Sequence, residues 1–204
     1  MTKLTQRFFD QKTELVAKEL LGKVLVRKIN DKKLSGMIVE TEAYVGPHDL
    51  ASHASKGKTN RTEIMFSYGG FWYVYMIYGL YYCLNIVTET KDYPSAVLIR
   101  ALEPLEGIEK MKENRKTDNI ANLTSGPGKL CQAFEITKDI DSTSAISKES
   151  ELYIEDRRIQ ISANQIVKAE RIGVDYAGIW KDKLLRFYIK DNPFVSRTGY
   201  QRPA

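Results

Sequence analysis

Phe71-Trp72-Tyr73-Val74-Tyr75-Met76-Ile77-Tyr78-Gly79-Leu80-Tyr81-Tyr82-Cys83-Leu84-Asn85-Ile86 carries seven aromatic rings in sixteen residues and no charge. Aromatic and β-branched residues favour strands, and Gly79 supplies the positive φ that a tight turn needs. The run therefore predicts a hairpin, with strands over residues 71–78 and 81–87 and Tyr78-Gly79-Leu80 near its tip. Tyr73 and Tyr75 share one face at period two. Phe71, Val74 and Ile77 read as core. Tyr78 does not, because a bulky ring at a hairpin tip cannot easily reach the core, and its exposure invites a wedge role. Asn85 is an amide in an apolar strand and needs partners if buried.

Working outward, residues 23–29 and 34–44 predict a second hairpin around the turn Asn30-Asp31-Lys32-Lys33. Its second arm places Glu40, Glu42 and Tyr44 on one face. Before it, residues 13–21 read as a helix capped by Thr13, with Leu15, Val16 and Leu20 inward. Gly46-Pro47 then breaks the strand. Residues 48–62 form a long polar loop whose Lys56, Lys58 and Arg61 suit phosphate contacts, or simply face solvent. Residues 95–102 read as a strand, and Pro104 as the first turn of a helix to Asn114 with Ile108 and Met111 inward. Residues 125–130 form a loop entering a helix through Phe134, whose backbone N–H groups can bind a phosphate. Residues 137–150 read as polar linker. Residues 151–155, 158–163, 166–174 and 184–189 read as strands of the same sheet, and the tail from Asn192 as irregular. The sum is α+β, a largely antiparallel sheet with short helices around it.

A chain of 204 residues fits one domain, 1–204, with a core of its own. Its formal charge of +5 fits a polyanion partner without demanding one. Cys83 and Cys131 lack zinc-site spacing and read as buried free thiols of a reducing compartment. There is no apolar leader, and no stretch reaches the ~18 apolar residues of a membrane helix. The expectation is a cytoplasmic, soluble monomer. No nucleotide-binding glycine loop, nucleophile elbow or Cys-x-x-Cys pair is present, so any chemistry is expected to need neither cofactor nor metal.

Glu42 is the first candidate for chemistry. Beside aromatics it can serve as general base for water; equally it reads as an edge-strand carboxylate facing solvent, and Glu40 shares the ambiguity. His53, one of two histidines, sits in the polar loop without a metal-binding partner. Arg100 interrupts an apolar strand and must be paired if buried, either with Glu42 or a phosphate, or in a structural ion pair with Glu103 or Glu106.

Taken together, these segments resemble the alkyladenine (3-methyladenine) DNA glycosylase family. The likeness runs through Leu20-Leu21-Gly22-Lys23-Val24-Leu25-Val26-Arg27 and Ile38-Val39-Glu40-Thr41-Glu42-Ala43-Tyr44-Val45-Gly46-Pro47, with Asp49 and His53. It continues through Tyr73–Gly79 and Cys83-Leu84-Asn85, then Leu98-Ile99-Arg100-Ala101-Leu102-Glu103-Pro104-Leu105-Glu106-Gly107. Ser125-Gly126-Pro127-Gly128-Lys129-Leu130-Cys131-Gln132-Ala133, Arg171-Ile172-Gly173-Val174 and Leu184-Leu185-Arg186-Phe187-Tyr188 complete it, in order along almost the whole chain.

The resemblance implies a curved, open barrel-like sheet with a protruding aromatic hairpin, and a monofunctional glycosylase that hydrolyses alkylated or deaminated purines from double-stranded DNA. Glu42 matches the general base. Arg100 and His53 match residues ordering the water and the flipped nucleotide. Tyr44, His53 and Tyr75 match the walls around the base, Asn85 the pocket-floor amide, and Tyr78 the intercalating wedge. Arg61 and Lys129 fall where the backbone of DNA is expected. Thr62 stands where the family often has Asn, and Gly69-Gly70 where it often has Pro-Gly. Two rivals use the same surface: a nucleic-acid binding module without glycosylase activity, and a tRNA-associated hydrolase or transferase.

Overall fold

In the computed structural model, which describes residues 1–196, the long second strand of the first hairpin becomes the centre of the sheet. The strands are β1 (Thr2–Lys3), β2 (Val24–Ile29), β3 (Lys32–Tyr44), β4 (Trp72–Ile77), β5 (Tyr81–Val87), β6 (Ala96–Glu106), β7 (Leu152–Asp156), β8 (Ile166–Ala169) and β9 (Arg186–Ile189). They pair in the order β1-β7-β2-β3-β6-β5-β4, all antiparallel, and β9 pairs with both β3 and β8. The first half of β3 is flanked by β2 and β6; from Glu40 to Glu42 it is flanked by β9 and β6. Register shifts at Ser35/Gly36 and around Glu40 bend β3, as bulges do, and the sheet curls into an open half-barrel.

The aromatic run divides by parity. Trp72 and Val74 of β4 and Leu84 and Ile86 of β5 enter the main core, with Leu25, Leu34, Ile38, Ile99, Phe134 and Phe187. Tyr73 lies on the opposite face, in a smaller cluster with Ala54, Met65, Val87 and Ala96. Strand geometry requires this alternation, and it corrects two expectations: Phe71 is only partly buried, against the smaller cluster, and Ile77 lines the pocket described below. Trp72 also donates its indole N–H to the Leu152 carbonyl at 3.0 Å, which binds the hairpin to the start of β7.

The helices are α1 (Gln6–Phe9), α2 (Thr13–Glu19), α3 (Ile108–Arg115) and α4 (Pro127–Ala133). Val16 of α2 and Leu20 just past its end are buried as expected, but Leu15 is 41% exposed; it falls off the inward stripe. Thr13 opens the helix rather than capping it, and its N–H and hydroxyl both bond the Glu89 carboxylate. Pro104 does not start α3. It pairs with Gly36 beside a register shift of β3, a place where a strand tolerates a missing N–H, and β6 runs on to Glu106. Gly107 makes the turn at φ 76°; a Cβ there would collide with the Leu34 side chain and lie 2.8 Å from the Lys33 carbonyl. Met111 is then buried, as the sequence predicts.

Residues 137–150 are not a linker. Ile140 and Ala145 join the core, and the segment exchanges backbone bonds with Trp72. Residues 158–163 form no strand, because Arg158 turns at φ 61° and Ser162 opens a short 3₁₀ turn with Gln165 in a capping box. Strand β8 ends at Ala169, since Glu170, Arg171 and Ile172 are engaged elsewhere. Residues 192–196 form neither helix nor strand, and the remainder of the expected irregular tail lies outside the described residues. Among the described residues no helix is long and apolar enough to cross a membrane.

Candidate active site

The odd-numbered face of the aromatic hairpin, the start of β6 and two loops enclose a pocket of about 210 Å³. Tyr73, Tyr75 and Ile77 come from β4, Cys83 and Asn85 from β5, Leu98 and Arg100 from β6. His53 arrives on a 3₁₀ turn, His53–Lys56, which Ser52 caps by accepting from the Ala54 N–H. Ile172, Gly173, Val174 and Tyr176 close the far side, and Tyr44 stands between. Sites for drug-sized ligands span roughly 300–1,000 Å³, so this space suits one flat ring system rather than a whole dinucleotide.

The walls are built from crossed rings. His53 meets Tyr75 edge-on, with centroids 4.5 Å apart, and Tyr73 lies 5.3 Å from Tyr75. His53 Nδ1 is 2.8 Å from the Tyr73 hydroxyl. Burial, with Arg61 and Lys56 nearby, lowers the His53 pKa to about 4, so its ring is neutral at pH 7. Burial raises the Tyr73 hydroxyl to about 12 and the Cys83 thiol to about 11; both remain protonated. Asn85 is buried and its Nδ2 donates to the Tyr73 carbonyl at 3.0 Å, which meets the requirement for a partner.

Glu42 lies directly behind this wall and is fully buried. An edge-strand position facing solvent is therefore overturned: β3 has strand neighbours on both sides at Glu42. Its Oε1 forms an ion pair with Arg100 Nη1 at 3.1 Å and accepts from the Ile172 N–H at 2.8 Å, and its Oε2 accepts from the Tyr44 hydroxyl at 2.9 Å. Arg100 pairs with Glu40 and Glu42, not with Glu103 or Glu106. Burial opposes its charge, but Glu42 and then Glu40 outweigh it and hold the guanidinium above its ordinary value. Tyr44 is pushed well above the ordinary phenol range by burial and by the Glu42 charge.

Tyr78 is 86% exposed at the hairpin tip and borders the pocket mouth. Its backbone is left-handed, at φ 52°, followed by Gly79 at 66°; the Leu80 N–H closes the turn on the Ile77 carbonyl at 3.1 Å. A positive φ is uncommon for a bulky residue. Arg61 lies over the Tyr75 ring at 5.1 Å, beside the pocket. Lys129 sits on α4 two residues after the pocket-lining Pro127, and its ammonium bonds the Asn122 side chain. Thr62 ties its own loop together, accepting from the Thr59 N–H and donating to the Gly57 carbonyl. At Gly69 any Cβ would press within 2.8–2.9 Å of Phe9, so the helix α1 seated there leaves no room for a larger residue.

Several groups escaped the sequence reading. The Ile172 amide is a backbone donor with no side-chain signal. Asp49 and Arg171 form a fully buried bidentate pair at 2.5 and 2.8 Å. Arg171 also faces the Tyr44 ring and donates to the Ala43 carbonyl. Both residues lay in quoted motifs, but only folding shows that they meet across 122 positions. Among the described residues no group of three or more His, Cys, Asp or Glu side chains is arranged to hold a metal ion.

Comparison with known proteins bears on this geometry. Residues 7–193 match the family described as methylpurine-DNA glycosylase. A protein of Clostridium perfringens (strain SM101 / Type A), described as "Putative 3-methyladenine DNA glycosylase", is 52% identical over 204 residues, covering 96% of this chain and 99% of its own. Proteins bearing the same description from Natranaerobius thermophilus and Legionella pneumophila (strain Paris) are each 47% identical, covering 95% and 97% of this chain and 98% and 100% of their own.

Proposed function

Since the chain belongs to the methylpurine-DNA glycosylase family, we propose that it hydrolyses the N-glycosidic bond of alkylated or deaminated purines flipped out of duplex DNA. One observation carries this reading. A buried carboxylate, Glu42, is held by two hydrogen bonds and an ion pair against the wall of a pocket sized for a single base.

A base inside a stacked duplex is out of reach, and extruding it costs roughly a few kcal/mol. Tyr78 enters the vacated gap and slows the return, while Arg61 and Lys129 grip the phosphates. Tyr44, Tyr75 and the neutral His53 ring stack around the extruded base. An electron-poor methylated purine gains cation–π attraction there, and it is already a good leaving group. Asn85, its amide fixed by the Tyr73 carbonyl, rejects a 2-amino substituent such as that of guanine.

Water attacks the anomeric carbon as the bond to the base nitrogen breaks. That electron pair leaves with the base, and the proton of the water passes to Glu42. Arg100 orients the carboxylate. No lysine amine lines the pocket among the described residues; water is the nucleophile, and no strand-nicking step follows. Hypoxanthine leaves as a poorer anion and benefits from protonation of its ring; Glu40, already paired with Arg100 and Arg186, is not assigned that step.

Duplex oligonucleotides carrying hypoxanthine or an alkylated purine test the reading. Wild type releases free base. Glu42→Gln retains lesion binding and loses about 10²–10⁴-fold in rate, the usual contribution of a general base. Undiminished release by Glu42→Gln would remove the catalytic assignment, and salt-sensitive duplex binding without any release would mark a binding module.

A further inference from the structure

We infer that Glu40 is a positioning residue for Glu42, acting through the Arg100 guanidinium and the Ile172 amide that hold Glu42 Oε1 and keeping a second arginine away from it. This rests on the proposed role of Glu42 as base. Glu40 is fully buried two positions earlier on β3. Its Oε1 accepts from Arg100 Nε at 3.3 Å and Arg186 Nη1 at 3.0 Å; its Oε2 accepts from the Ser196 N–H at 2.8 Å.

Each arginine leads on to the base. Arg100 presents its other edge, Nη1, to Glu42 Oε1. Arg186 donates through Nε to the Glu170 carbonyl at 2.8 Å; two residues further on, the Ile172 N–H reaches the same Oε1. Glu42 Oε1 thus holds the Ile172 N–H and the Arg100 guanidinium, both organised from Glu40, whereas among the described residues Oε2 carries only the Tyr44 hydroxyl. A carboxylate oxygen has two acceptor sites, so Oε2 retains the lone pair that takes the proton from water.

The cross-strand register sharpens the point. Arg186 is the direct partner of Glu42 in the β3–β9 ladder, yet its guanidinium bonds Glu40. Without the charge of Glu40, Arg186 is free to claim Glu42, hold it ionised and blunt it as a base. The other ionisable groups facing Glu42 are Arg100 from β6, Tyr44 from β3, Tyr75 from β4 and Cys83 from β5. Arg171 and Tyr176 face it from the loop after β8. None of these pairs with Arg186 among the described residues, so none replaces Glu40.

The test compares wild type, Glu40→Gln and Glu40→Gln/Arg186→Gln on a hypoxanthine-containing duplex. Glu40→Gln is expected to slow single-turnover release at least tenfold, to move the acid limb of the rate profile to lower pH, and to change lesion binding less than threefold. The double variant, which also removes the freed guanidinium, returns the acid limb toward wild type and avoids a buried unpaired charge should the single variant fold poorly. A Glu40→Gln protein with wild-type rate and acid limb overturns the inference, as does a double variant whose limb stays displaced. Carbon-13 titration of the Glu42 carboxyl separates the two readings. If wild type releases no base but Glu42 titrates at lower pH in Glu40→Gln, the functional reading fails and the positioning stands. An unmoved Glu42 titration sinks the positioning.

Discussion

Glu42 and His53 illustrate what a single side chain owes to its surroundings. Glu42 could be read from sequence as a candidate because it sits beside aromatics on an apolar strand and falls where the resembled family has its general base. Burial by two neighbouring strands, and the two hydrogen bonds and ion pair of its carboxylate, are properties of the fold. His53 carries a pH signature that can be measured. Its pKa falls from 6.5 to about 4 on folding, through burial first and then Arg61 and Lys56. The unfolded chain therefore binds the proton more readily between these values. The corresponding stability is complete above about pH 6.5 and is lost as the pH falls toward 4. After discounting for solvent screening of a half-buried ring, we expect roughly 1–2 kcal/mol. Urea unfolding at pH 6.5 and 4.5 should show a steeper loss for wild type than for His53→Gln; equal losses would assign the pH dependence to other groups.

At the scale of elements, the aromatic hairpin was legible and its division was not. Alternation along β4 and β5 sends Trp72, Val74, Leu84 and Ile86 to the core and Tyr73, Tyr75, Ile77, Cys83 and Asn85 to the pocket. Composition alone does not say which parity faces which way, and so Ile77 was misassigned. Pro104 misled for a related reason: a proline at a helix start and one beside a strand irregularity look alike until the partner strand is known. The tip supplies the element's own prediction. Tyr78 makes little contact with the fold, so Tyr78→Ala should change unfolding free energy by no more than about 0.5 kcal/mol. If the ring is a wedge, base release should fall about tenfold or more, against a flipping cost of a few kcal/mol, while binding to undamaged duplex weakens much less. Equal loss of both would argue for a simple contact residue.

Across the whole molecule, the loop after β8 is joined to the loop after β3 by Asp49 and Arg171, and this pair anchors the backbone that offers Ile172 to Glu42. Breaking a buried pair on one side leaves an uncompensated charge, worth about 3–5 kcal/mol. Asp49→Ala should be destabilised by that order in denaturant unfolding. Asp49→Ala/Arg171→Met should regain most of the stability, because no charge is left buried, yet release base more slowly than wild type. Full activity in the folded double variant would show that the pair serves stability alone. Alternation, turn chemistry and motif order are local and survive in one dimension, so the α+β class, the two hairpins and the aromatic, basic and acidic candidates were legible in the chain. The burial of Glu42, the sharing of Arg100 and holding of Arg186 by Glu40, and the meeting of Asp49 with Arg171 arise only on folding. Those facts depend on which strands lie beside β3 and on charges brought together from distant positions, where exclusion of water makes their pairing obligatory.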